Sequence, residues 1–105
     1  MKSARAKTCS ILQDEKECFM CRLVYDMRVE FNLERHHIYE GMANRKISEE
    51  NGFWVYLSPH FHNSSSDGVH LNENNNRWLK AICQRKYEET HTREEFMKLI
   101  GRNYL

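Results

Sequence analysis

No stretch of this sequence is apolar for long enough to cross a bilayer, and the basic start MKSARAKTCS is not followed by the apolar run of a secretory leader. The expectation is therefore a soluble, intracellular protein with no membrane partner. Net charge is nearly lacking as well, at +1 for 105 residues. Any affinity for a polyanion must then come from a local patch and not from overall basicity. Internal repeats are absent, and low complexity is confined to NSSSD at 63–67 and three asparagines at 74–76, which read as turns and not as domain boundaries. One domain over 1–105 follows, with its core at about 17–90 and a C-terminal helix at 92–101.

What the chain does contain is enough apolar material to fold: 40% hydrophobic and 11% aromatic residues against 30% charged. At 105 residues that core is thin, so a stabilising metal would be no surprise. Four cysteines stand at positions 9, 18, 21 and 83. With no leader, reduced thiols or thiolate ligands are expected in place of disulfides. Cys83 reads as packing, and Cys9 has no assigned role.

The run EFNLERHHI at 30–38 alternates apolar and polar residues, as a half-buried strand ending near two histidines would. FWVYL at 53–57, bounded by Gly52 and Pro59, reads as its partner. Between them ANRKISEEN suits a short helix, with Gly52 at its C′ position. Trp78, Leu79, Ile82, Cys83 and Tyr87 recur at helical spacing from Asn74 to about Glu89. Thr92 and Glu95 form a capping box ahead of a helix carrying Phe96, Leu99 and Ile100, which Gly101 ends. The fold class is α+β, with two C-terminal helices appended to a two-stranded, histidine-rich centre.

Two features carry chemistry. Cys18-Phe19-Met20-Cys21 has knuckle spacing, suited to two thiolates on one tetrahedral zinc, but alone it is half a site. Two buried thiols remain the competing reading, and a redox motif would want a βαβ context that is not evident. Next, His36, His37, His60, His62 and His70 fall within thirty-five residues. Imidazole ligates metals and takes protons near neutral pH, so this density suits metal-assisted hydrolysis. Any one of these histidines alone would as readily serve the core or a cap; the cluster is harder to explain that way. Neighbours on a regular strand point to opposite faces, so His36 and His37 cannot both address one metal unless the strand ends or bulges there.

The run ECFMC, then LERHHIYEGMANRKISEENGFWVYLSPHFHN, DGVH and EETHTREEFMKLIGRNYL together resemble a group of small phage and prophage HNH-type (ββα-metal) proteins. More distantly they resemble phage recombination-enhancement nucleases. The resemblance spans residues 17–105 and lies in the order of segments. It implies a metal-dependent DNA endonuclease that leaves 5′-phosphate and 3′-hydroxyl ends in phage DNA processing, in the cytoplasm of a bacterial host. A phage recombination or packaging protein is the implied partner beside DNA. His37 then resembles the general base, and His36, His62 and His70 the ligands of one divalent ion, magnesium, manganese or zinc. Asn44 and Asn63 are both candidates for the asparagine that orients the base in classical members. Arg35, Arg45 and Lys46 flank the centre as contacts for the DNA backbone, while Arg77, Lys80, Arg85 and Lys86 also fit the solvated face of a helix. No base-reading motif is evident.

One departure stands out. The resemblance implies a second cysteine pair after the second strand, as is usual in that group, where this chain reads Leu57-Ser58-Pro59-His60-Phe61-His62. A four-cysteine structural zinc is excluded. Either His60 joins Cys18 and Cys21 as a third ligand, or Phe61 fills the space and the knuckle is empty. The lost pair also supports a rival from another class, a non-catalytic DNA-binding or recombination accessory module on a degenerate HNH scaffold. A metalloprotein that is purely structural, or part of a packaging machine, is a third reading.

Overall fold

The computed structural model describes residues 9–63 and 65–105. Its elements run α1 (Phe19–Tyr25), β1 (Glu34–His37), α2 (Met42–Asn51), β2 (Trp54–Leu57), α3 (Pro59–His62), α4 (Glu73–Tyr87) and α5 (Arg93–Ile100). This is a small α+β fold. The two strands pair antiparallel, with Glu34 opposite Leu57, Arg35 opposite Tyr56, His36 opposite Val55 and His37 opposite Trp54. Directly opposed residues share a face and neighbours along a strand alternate. Glu34 and His36 therefore share one face with Val55 and Leu57, while Arg35 and His37 share the other with Trp54 and Tyr56.

The first strand is shorter than the alternation at 30–38 suggests. Asn32 has φ 55°, in the left-handed region, which breaks the extended backbone before Glu34. Phe31, expected to be half-buried, is 70% exposed. Beyond the strand one further bond, from Ile38 N–H to the Phe53 carbonyl at 3.0 Å, keeps the pair closed.

Between the strands α2 forms as its composition requires and stops at Gly52, whose φ is 75°. A Cβ at Gly52 would also lie 2.3 Å from the Cys9 carbonyl oxygen, so both backbone angle and space demand glycine. The α4 helix begins one residue before Asn74, capped by the Asn72 side chain, which accepts from Asn75 N–H. Asn74–Asn76, read as a turn, are its first turn. Its buried side is Leu79, Lys80, Cys83, Gln84 and Tyr87. Trp78, placed in the apolar stripe from sequence, lies 100° off that line and is 42% exposed. The α5 capping box is present in both directions, with Thr92 Oγ1 accepting from Glu95 N–H and Glu95 accepting from Thr92 N–H.

The core gathers Tyr39, Phe53, Tyr87 and Phe96, with ring centroids 5.4–5.5 Å apart for Tyr39–Phe53, Tyr39–Phe96 and Phe53–Tyr87. Such tilted and edge-to-face pairs add about 0.5–1.5 kcal/mol each beyond their buried area. Phe96 is fully buried, so the core reaches past residue 90 into the last helix. The chain end is tied back through Tyr104 N–H to Gln84 Oε1 at 2.7 Å. Among the described residues no helix is long and apolar enough to cross a membrane.

Candidate metal centre

Three histidines arrive from three separate pieces of chain. His36 projects from the inner face of β1. His62 ends α3, a single turn that Pro59 starts immediately after β2. His70 follows in the next loop, which is held against α3 by Val69 N–H to Phe61 O at 2.8 Å and His70 N–H to His62 O at 3.2 Å. Gly68 permits that contact, because a Cβ there would lie 2.8 Å from the His62 carbonyl oxygen. Asn75 Nδ2 donates to the Asp67 carbonyl at 2.9 Å and ties the same loop to α4.

The result is a convergence of one ring nitrogen from each of His36, His62 and His70, all within 4.8 Å of one another. His62 Nε2 and His70 Nε2 are 2.9 Å apart. Two ligands about 2.0–2.1 Å from one ion are separated by about 2.9 Å at a right angle and about 3.3 Å at the tetrahedral angle. The spacing suits either one N–H···N hydrogen bond or two ligands of one cation. His36 decides between pure packing and a ligand role: it is 3% exposed, and its Nε2 has no hydrogen-bond partner. An unpaired buried nitrogen is costly, and a cation bound by that nitrogen would satisfy it.

Electrostatics favour the ligand form. Burial, and then the neighbouring His62 and His70, push His36 down to about 3. Burial, and then His62, lower His70 as well. Both rings are neutral near pH 7, with lone pairs to offer. Glu34, on the same face of β1 as His36, accepts from His62 Nδ1 at 2.8 Å. A carboxylate on the outer nitrogen fixes the tautomer and leaves Nε2 as a donor to metal. Sequence reading did not find Glu34; its only signal was the two-residue spacing that puts it on the face of His36.

His37 points to the other face. Its Nε2 lies 2.6 Å from Glu49 Oε2 on α2. Arg35, on that same face, gives Nη1 to both Glu49 oxygens at 3.0 and 3.1 Å and lies 3.8 Å above the Trp54 ring. Burial acts to raise the Glu49 carboxyl, but His37 and Arg35 outweigh it and the net shift is downward. Neither candidate asparagine meets His37: Asn44 Nδ2 donates to the Glu40 carbonyl at 2.8 Å, and Asn63 lies exposed past α3. The residue on His37 is a glutamate that the sequence places only in the short helix between the strands.

Because β1 ends at His37, the four histidines line one cleft of about 640 Å³ with Arg35, Glu40, Gly41, Met42 and Arg45. Of the cations expected to meet phosphate, Arg35 is already engaged by Glu49 and Trp54. Arg45 stands exposed at the cleft. Lys46 is exposed on α2 and does not line it.

The cysteine pair is separate. Cys18 caps α1, its Sγ accepting from Cys21 N–H at 3.4 Å, and Cys21 Sγ lies 3.6 Å from Ser58 Oγ. Burial pushes the Cys21 thiol up to about 11. His60 does not join the pair; its Nε2 meets Asp67 at 3.1 Å. Phe61, between the two histidines of its turn, is the side chain that enters the core. Among the described residues the thiols have no third ligand grouped with them, so a structural zinc does not fit here. Cys83 is buried as expected, and Cys9 is exposed.

No family model matches the chain, and no curated protein or solved structure matches it.

Proposed function

We propose that this chain is a metal-dependent DNA endonuclease of the HNH type, with His36, His62 and His70 as ligands of one divalent ion and His37 as the general base. The observation that carries this reading is the meeting of three imidazole nitrogens within 4.8 Å, one of them from His36, a buried ring that also carries an unpaired Nε2, beside a fourth histidine with a carboxylate partner. The order of strand with paired histidines, helix, second strand and histidine-bearing turn supports it, in agreement with the resemblance of segments 17–105.

When bound, the ion would supply stabilisation of negative charge on the scissile phosphate and on the leaving oxygen. The rest is work for the chain. Glu34 orients His62 and keeps its Nε2 lone pair directed inward. His37 takes a proton from water as the water oxygen bonds to phosphorus; the bond from phosphorus to the 3′ oxygen breaks, and that oxygen leaves with a proton from solvent. Arg45 meets the phosphate backbone at the cleft. Among the described residues that line the cleft Arg45 is the one cation not already engaged, so little sequence preference is expected.

Supercoiled-plasmid nicking tests the reading. Metal-stripped protein is assayed with magnesium, manganese or zinc restored, beside His37→Ala. Metal-dependent nicking that the substitution abolishes, with folding and DNA binding intact, is the expected result. Well-folded protein that binds DNA but cuts neither duplex, single-stranded nor branched substrates would replace it with the accessory-module reading.

A further inference from the structure

We propose that Glu49 is the positioning residue of His37, holding the ring in one orientation and one tautomer so that Nδ1 carries the lone pair that takes the proton. The role in proton transfer rests on the nuclease reading; the control of the ring does not.

An ionised carboxylate only accepts hydrogen bonds. At 2.6 Å from Glu49 Oε2, the Nε2 of a neutral His37 must therefore be the protonated nitrogen, leaving Nδ1 unprotonated. Among the described residues Nδ1 has no hydrogen-bond partner that would compete for it. The contact is half-shielded, with 24% of the His37 side chain and 32% of the Glu49 side chain exposed, so water weakens it less than it would a surface pair.

Glu49 is itself placed by rigid parts. Its helix is anchored beside it by Ser48, which is fully buried and whose carbonyl accepts from Phe53 N–H at 2.9 Å, and the helix is capped three residues later by the obligatory Gly52. Arg35 grips the same carboxylate from the side while its guanidinium rests on Trp54. Arg35 and His37 are two residues apart on one face of β1, so one carboxylate reaches both. Carboxylate, guanidinium and indole thus form a bracket with His37 at its open end.

The plain alternative is that Arg35–Glu49 is an ordinary ion pair pinning α2 to β1. Glu49→Ala and Glu49→Asp separate the two. Long-range ¹H–¹⁵N spectra of metal-free protein report the tautomer of His37 directly. Wild type should show Nε2–H and unprotonated Nδ1; Glu49→Ala should show a mixture of both tautomers; Glu49→Asp should restore the wild-type pattern in part. In nicking assays kcat should fall about 10- to 100-fold for Glu49→Ala, with metal affinity and KM within about twofold of wild type. Loss of melting temperature with an unchanged tautomer and kcat would overturn the proposal in favour of the plain ion pair. Mixed tautomers already in wild type would overturn it too. If wild type cuts no DNA but its tautomer collapses in Glu49→Ala, the nuclease reading fails while Glu49 keeps its hold on His37.

Discussion

Glu34 Oε1 lies 2.8 Å from His62 Nδ1, so a carboxylate on β1 fixes an imidazole on α3 across twenty-eight residues of sequence. The same strand supplies His36 two residues on. One strand face therefore provides both the first of the three converging histidines and the group that orients the second. Removing such an outer partner lowers metal affinity by about 10- to 100-fold without touching a ligand. Glu34→Ala should weaken binding to that extent, as read by competition with a chromogenic chelator. Glu34→Gln, which can still accept from Nδ1–H, should weaken it less. Equal affinity in all three proteins would remove Glu34 from the site.

Metal should also stabilise the fold. A ligand that binds only the folded chain adds about 2.7 kcal/mol at about 100 times its dissociation constant, or roughly 10 °C or more in Tm for a domain of this size. Scanning calorimetry with and without zinc should show that rise, reversed by EDTA. His36→Ala should abolish it while removing the unpaired Nε2 from the interior. A Tm indifferent to zinc, manganese and magnesium would argue for three histidines that merely pack together.

The placement of His70 depends on a glycine. A Cβ at Gly68 would meet the His62 carbonyl oxygen at 2.8 Å and its carbon at 2.9 Å, both of them backbone atoms that cannot rotate away. Gly68→Ala should push the His70 loop off α3 and open the 2.9 Å gap between His62 Nε2 and His70 Nε2. Metal binding is then expected to weaken, and the metal-free Tm to fall as well, because the next residue, Val69, is buried in the core and bonded to Phe61. A titration of the variant by calorimetry checks it; wild-type affinity would show that the loop tolerates the shift.

What the sequence made legible was local. The capping box at Thr92 and Glu95 and the stop at Gly52 obey short-range rules, and both elements stand where those rules put them. The paired strands were legible too, because Val55 and Leu57 are apolar on the face that enters the core. Two kinds of information were not. Backbone sign was one: nothing in EFNLERHHI announces that Asn32 turns left-handed, so the strand was read too long. Long-range charge was the other. Glu34 and Glu49 carried no signal beyond their place in a strand and a helix, and only the fold shows that each meets a histidine. For the segment after β2 the sequence left two readings, His60 as a third ligand or Phe61 filling the space, and α3 sends Phe61 into the core and His60 toward Asp67.

The cysteines give a last prediction, and it bears on whether this centre stands without a zinc knuckle. Burial raises the Cys21 thiol to about 11 and the Cys83 thiol to about 12. A thiolate, not a thiol, attacks alkylating reagents and ligates zinc. At pH 8 iodoacetamide should therefore label exposed Cys9 first and leave Cys18, Cys21 and Cys83 intact until denaturant is added, as peptide mass spectrometry would show. The pH dependence of stability has a matching sign. Unfolded thiols ionise near pH 9 while the folded ones do not, so the stability from keeping them neutral is complete below that point. It is lost as pH rises from about 9 toward 11 for Cys21 and 12 for Cys83. Labelling of Cys18 and Cys21 at the rate of Cys9 would show that both thiols are accessible in the folded chain, and protection of that labelling by added zinc in His36→Ala protein would mean that the pair acts as a metal site. The fold would then lean on a second ion as well as on the entry of Phe61 into the core.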